Sequence, residues 1–78
     1  MTLQTQKQAL KTKVSRYITL LSNLSRPNTD FIASLDYFKG LVDFANRKEI
    51  SGLESRFLSM LPEDDRSRNY IETGKLAT

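Results

Sequence analysis

Two stretches of the chain repeat apolar residues at alternating steps of four and three, and this spacing constrains the fold more than any other feature. Such steps place side chains on one face of an α-helix, because a helix turns by about 100° per residue. Pro27 lies between the stretches, and proline ends a helix because it lacks a backbone donor. The pattern therefore predicts an all-α fold. The two stripes are Leu10, Val14, Tyr17, Leu21 and Leu24, and then Phe31, Leu35, Phe38, Val42 and Ala45.

The chain is predicted to form a single helical domain over residues 1–78, with three main helices. These cover about residues 3–24, 30–47 and 51–61. We expect the first two to form an antiparallel hairpin, because a short break joins them, and the third to cross that hairpin. Ser51 and Glu54 have the spacing of a capping box, in which each side chain satisfies the other residue's free backbone donor. This predicts that the third helix starts at Ser51.

A short fourth helix over 62–73 is also predicted, docked by its two larger apolar residues, Tyr70 and Ile71. Pro62 suits the first position of a helix, and the acidic residues 63–65 suit the positive end of its dipole. Gly74 fits a helix end, because glycine readily takes the left-handed conformation found there.

The second predicted helix is apolar over most of its circumference. Ala33, Tyr37 and Phe44 lie to one side of its main stripe. They leave only a narrow polar strip, which is formed by Asp36, Lys39, Gly40, Asp43 and Arg47. A helix of this kind is normally covered on most sides, so we expect it to be the central helix. Asp43 lies four residues from both Lys39 and Arg47, which predicts ion pairs along the helix.

A chain of 78 residues with no cysteine and no histidine has few ways to reinforce a small core. Disulfides are excluded, and a structural zinc site would need thiolate or imidazole ligands. Burying more surface by self-association is the remaining common route, so a homodimer is favoured. The lack of cysteine fits a cytoplasmic location.

The same composition argues against an enzyme, because the usual nucleophile–base pairs need cysteine or histidine. The only acidic cluster is that of residues 63–65, which the helix dipole already explains. The three glycines are too scattered for a phosphate-binding loop. We therefore predict no catalytic residue, no cofactor and no metal site. No apolar run approaches the ~20 residues of a membrane span, so no membrane association is predicted either.

The charge is distributed unevenly along the chain. All nine acidic residues lie at or after Asp30, whereas the first 29 residues carry five basic ones. The polar face of the first helix consists mainly of glutamine, serine and threonine, which can donate to phosphates and base edges. A nucleic-acid-binding regulator that uses this helix is one hypothesis. The alternative is that its lysines lie over the core and that the polar side chains face water.

Binding to another protein is the preferred hypothesis, with the chain acting as a non-enzymatic adaptor, inhibitor or regulator. Tyr37 and Phe44 are the predicted contacts, because aromatic residues often anchor interfaces. Whether they are anchors or belong to the core is left open by the sequence. Lys7, Lys11 and Arg16 are predicted to steer an acidic partner toward this surface.

Overall fold

The computed structural model describes residues 2–75, and this part of the chain contains four α-helices and no strand. The predicted all-α class is confirmed. The helices are α1 (Leu3–Ser22), α2 (Thr29–Phe44), α3 (Arg47–Met60) and α4 (Asp65–Thr73).

Helix α1 is the element that packs against each of the other three helices. The prediction that α2 is central is therefore wrong. The reason is that α1 carries a long apolar stripe flanked by half-buried residues, so that neighbours can pack on several sides of it, whereas α2 buries a single stripe. The fully covered core residues are Leu10, Val14, Tyr17, Leu35, Phe38, Val42, Ala45, Ile50, Phe57 and Ile71.

Helices α1 and α2 pack side by side with opposite chain directions. Near the start of α1, Lys11 Nζ lies 2.7 Å from a carboxylate oxygen of Asp43, near the end of α2. Toward the other end of α1, the ring centroid of Tyr17 lies 5.6 Å from that of Phe31, near the start of α2. These two helices are therefore antiparallel neighbours.

The first two helices begin at residues whose side chains cap free backbone donors. The Thr2 hydroxyl accepts a hydrogen bond from the Thr5 amide at 3.2 Å. The Asn28 side chain accepts one from the Phe31 amide at 3.0 Å. Thr2 and Asn28 therefore set where α1 and α2 begin, as threonine and asparagine do at many helix starts.

The boundary between α2 and α3 differs from the prediction. Helix α2 ends at Phe44 rather than near residue 47, because Ala45 is extended with φ −72° and ψ 142°. Helix α3 begins at Arg47, four residues before the predicted start. Asn46 accepts hydrogen bonds from the amides of Lys48 and Glu49, and the Glu49 carboxylate accepts one from the Asn46 amide.

The capping box of α3 is thus formed by Asn46 and Glu49, and the predicted box of Ser51 and Glu54 is wrong. Both pairs have the same spacing, so the sequence pattern alone does not separate them. Burial decides between them, because Ala45 and Ile50 are core residues on either side of the turn. Burial of these two residues fixes the break between α2 and α3 at Ala45 and Asn46.

Replacing Asn46 by alanine is expected to destabilise the fold by about 0.5–2 kcal/mol, the usual range for loss of a helix cap. Ser51→Ala is the matched control, because Ser51 lies exposed inside α3 and caps nothing. Urea unfolding followed by circular dichroism measures both variants. Equal losses of stability, or a larger loss for Ser51→Ala, would contradict this assignment of the cap.

The fourth helix begins three residues after Pro62, so the prediction that Pro62 is its first residue is wrong. Asp64 caps it by accepting a hydrogen bond from the Ser67 amide at 2.9 Å. Hydrogen bonding to the Ser67 side chain, and then the bond to the Ser67 amide, hold the pKa of the Asp64 carboxyl below its ordinary value. Gly74 ends the helix with φ 78°, as predicted, and Ile71 docks α4 into the core.

Candidate functional site

Two aromatic side chains of α2 lie on the surface. Tyr37 is 71% exposed and Phe44 is 90% exposed. Both are outside the core, which answers the question that the sequence left open. Among the residues that the structure describes, they are the two most exposed of the large hydrophobic side chains, and exposed apolar patches often mark interaction sites.

The two rings share one face of α2 with two small residues. At about 100° per residue, positions 33, 37, 40 and 44 fall within about 60° of one another on a helical wheel. We call this surface the aromatic face; it consists of Ala33, Tyr37, Gly40 and Phe44. A Cβ atom placed on Gly40 would meet no atom within 4 Å, so the space between the two rings is open.

The aromatic face exists because α2 carries two apolar stripes and only one of them is covered. Leu35, Phe38 and Val42 point into the core, and Phe38 packs beside Phe57 of α3 with ring centroids 6.1 Å apart. The second stripe lies outside these contacts. A groove between α2 and α3 borders it, with Leu41, Leu53, Arg56 and Met60 among its lining residues.

Gly40 is the member of this surface that sequence reasoning missed. The sequence prediction placed Gly40 in the narrow polar strip of α2. The signal was nevertheless present, since positions 33, 37, 40 and 44 repeat the same steps of four, three and four as the core stripe. Here the open space at Gly40, rather than its flexibility, gives the residue its place in the surface.

The lysines predicted to steer a partner make contacts within the chain. Lys11 forms an ion pair with Asp43 at 2.7 Å. Lys7 Nζ donates a hydrogen bond to the Asp43 backbone carbonyl at 2.9 Å, near the end of α2. Within residues 2–75, Asp43 thus pairs with α1 rather than with Lys39 or Arg47, and the predicted pairs along α2 are absent.

Arg16 also contacts its own chain. Its guanidinium donates to the backbone carbonyls of Ile71 and Glu72 at 3.1 and 3.2 Å. The same group lies 3.0 Å from the place where a Cβ on Gly74 would stand. Arg16 therefore satisfies carbonyls at the end of α4, and its role toward a partner stays a prediction.

The polar side of α1 forms an open, shallow depression together with Glu72 of α4. Gln4, Gln8, Thr12 and Lys13 are among the residues that line it. Thr12 donates a hydrogen bond to the Gln8 carbonyl at 2.9 Å, as threonine commonly does within a helix. The depression offers donors and acceptors and shows no enclosed site.

Tyr17 is a structural residue that joins three helices. Its hydroxyl donates to the Met60 carbonyl at 2.8 Å, and its ring meets Phe57 with centroids 6.2 Å apart. Burial raises the pKa of the Tyr17 hydroxyl above its ordinary value of 10.0, because the charged phenolate is poorly solvated there.

This raised pKa predicts that the fold loses stability in alkaline solution. Above about pH 10 the unfolded chain releases the Tyr17 proton before the folded chain does, so unfolding is favoured as pH rises. Below that pH the stabilisation by Tyr17 is complete. Tyr17→Phe is expected to cost about 0.5–1.5 kcal/mol near neutral pH, the usual worth of one hydrogen bond.

Urea unfolding between neutral pH and pH 11 measures this dependence. The difference in stability between the wild type and Tyr17→Phe is expected to shrink as the pH rises, because the variant has no phenol to ionise at this position. Tyr37→Phe is the control, since Tyr37 is largely exposed. A constant difference at every pH would contradict the prediction.

No family model, no curated protein and no solved structure matches the chain. Within residues 2–75, no three or more acidic side chains gather in a way that could hold a metal ion. None of the four described helices combines the length and the apolar character that crossing a bilayer requires.

Proposed function

We propose that this chain is a non-enzymatic protein-interaction module, an adaptor, inhibitor or regulator, that binds through the aromatic face of α2. The observation that carries the proposal is the exposure of Tyr37 and Phe44 on one face of a helix whose other stripe is buried. Aromatic residues gain more than other side chains from burial at an interface, and they lose little conformational entropy there. The surface therefore favours a partner that covers both rings.

Photo-cross-linking tests this proposal. A benzoylphenylalanine at position 37 or 44 keeps an aromatic ring in place and reacts with whatever covers it. The same group at Leu58, which is 59% exposed on α3, is the matched control. We expect protein adducts in cell extract from positions 37 and 44 that position 58 does not give. Equal adducts from all three positions, or none, would overturn the proposal.

The stability of a variant without the two rings shows whether they support the fold. Tyr37→Ser combined with Phe44→Ser is expected to keep the helical circular dichroism and the unfolding midpoint of the monomer, because neither ring is in the core. If this double variant unfolds, the two rings support the fold and the surface is wrongly assigned.

Nucleic-acid binding through α1 is the competing proposal. The open polar depression with Lys13 favours it. Against it, Lys7, Lys11 and Arg16 already bind acceptors within the chain, which leaves a weak electrostatic attraction for phosphates. A gel shift at low salt with duplex and single-stranded probes separates the two. Binding that falls steeply with salt, and that Lys13→Gln weakens, would favour nucleic acid over a protein partner.

A further inference from the structure

We infer that the partner of the aromatic face is a second copy of this chain, bound through the same face in an antiparallel orientation. This inference rests on the proposed function, because it assumes that Tyr37 and Phe44 form an interface. It adds the identity of the occupant and the register of the pairing. Both follow from the sizes and charges of the residues along α2.

The sizes alternate along the aromatic face in the order small, large, small, large. When two copies of α2 pack antiparallel with the two-fold axis between residues 38 and 39, position 37 faces position 40 of the other copy. Position 33 likewise faces position 44. Each aromatic ring then lies opposite a small residue, and each ring has a space to fill. The open space at Gly40 receives Tyr37.

A parallel pairing lacks this fit. In a parallel pair each residue would face the same residue of the other copy. The rings at positions 37 and 44 would then meet each other, and a gap would remain where Gly40 faces Gly40. Close packing of interfaces disfavours such gaps. The antiparallel register is therefore the one in which a single surface complements itself, as a two-fold symmetric dimer requires.

The charges beside the aromatic face agree with this register. In an antiparallel pair, the same flank of both helices meets across the axis. Asp36 and Asp43 share one flank of α2, because seven residues bring a helix back to within about 20°. Along the helix axis, Asp36 is level with position 41 of the other copy, so Asp43 of that copy lies about 3 Å further along at 1.5 Å rise per residue. Asp43 is held by Lys7 and Lys11, so this group carries one net positive charge. Asp36 faces it with the opposite charge.

Such a dimer is expected to be weak. An aromatic side chain buries at most about 150–250 Å², so four rings provide about 600–1,000 Å². Stable interfaces usually start near 1,200 Å² of buried surface. The association should therefore be measured from micromolar to millimolar concentration, by sedimentation equilibrium of the purified full chain.

Gly40→Leu separates pairing from folding. Because a Cβ at Gly40 meets no atom within 4 Å and glycine is unfavourable inside a helix, we expect a higher unfolding midpoint at low concentration. In the dimer the same side chain fills the space that Tyr37 needs, so we expect the dissociation constant to rise at least about tenfold. Ser51→Leu is the control: Ser51 is an exposed residue of α3, and the groove beside the aromatic face is lined by other residues of that helix.

The register is tested by charge. Asp36→Lys places a cation against the lysines of the other copy, so we expect dimerisation to weaken at low salt and the effect to fade at high salt. Glu63→Lys makes the same change in net charge at an exposed position outside the helices. Equal effects of these two variants would overturn the antiparallel register.

The outcomes distinguish this inference from the proposed function. A wild type that stays monomeric up to millimolar concentration, or a dimer unaffected by Gly40→Leu, would overturn the second copy as partner. Cross-links from positions 37 and 44 to a different protein would still support the proposed function in that case. An absence of any specific protein cross-link would instead overturn the proposed function itself.

Discussion

Replacing Phe57 by alanine is expected to unfold most of the protein at 25 °C. Phe57 is 1% exposed, and its ring packs against both Tyr17 of α1 and Phe38 of α2. Losing a buried phenylalanine costs about 3–5 kcal/mol, because the apolar contacts disappear and a cavity stays behind. That is the whole stability that a single core of this size usually supplies, about 3–5 kcal/mol.

Far-UV circular dichroism and urea unfolding measure this effect. Leu58→Ala is the matched control, since Leu58 is the next residue of α3 and is 59% exposed. Its cost is expected to stay below about 1 kcal/mol, as for most surface changes. A Phe57→Ala variant that unfolds cooperatively at the wild-type urea concentration would show that Phe57 does not hold the three helices together.

Replacing Ile71 by alanine is expected to release α4 and to cost about 2–5 kcal/mol. Ile71 is 0% exposed and is the one residue of α4 that is fully buried. The hydrogen bonds of Arg16 to the carbonyls of Ile71 and Glu72 lie partly in water, so they are too weak to hold α4 alone.

Hydrogen exchange resolves this prediction by residue. In Ile71→Ala, the amides of α4 are expected to exchange at nearly the rate of an unfolded peptide, while those at the centre of α1 keep more protection. Asn69→Ala is the control, because Asn69 is exposed two residues earlier on the same helix. Unchanged protection of α4 would mean that it is held by something other than Ile71.

Much of the fold is predictable because the apolar spacing is regular. The core stripe of α1 at Leu10, Val14 and Tyr17 is buried as its steps of four and three indicate. Gly74 ends α4 as predicted, with the positive φ that glycine readily takes. These features depend on interactions within a few residues, which the local sequence contains.

The wrong predictions concern places where two alternatives fit the local sequence equally well. Asn46 with Glu49 and Ser51 with Glu54 both fit a capping box, and the buried Ala45 and Ile50 decide between them. Lys39 and Arg47 were the predicted partners of Asp43, but Asp43 forms its ion pair with Lys11 of α1. The choice depends on which helix packs beside which, and no window of a few residues contains that information.

The sequence by itself determined that this protein is all-α, where its main apolar stripes lie and which residues could cap its helices, because helical periodicity and capping are short-range effects. Only the tertiary structure decided that α1 is the central helix and that Tyr37 and Phe44 lie on the surface. An apolar stripe on α2 has the same spacing whether it is covered or exposed. What separates the two stripes of α2 is the position of α1 and α3, which bury one of them and leave the aromatic face open.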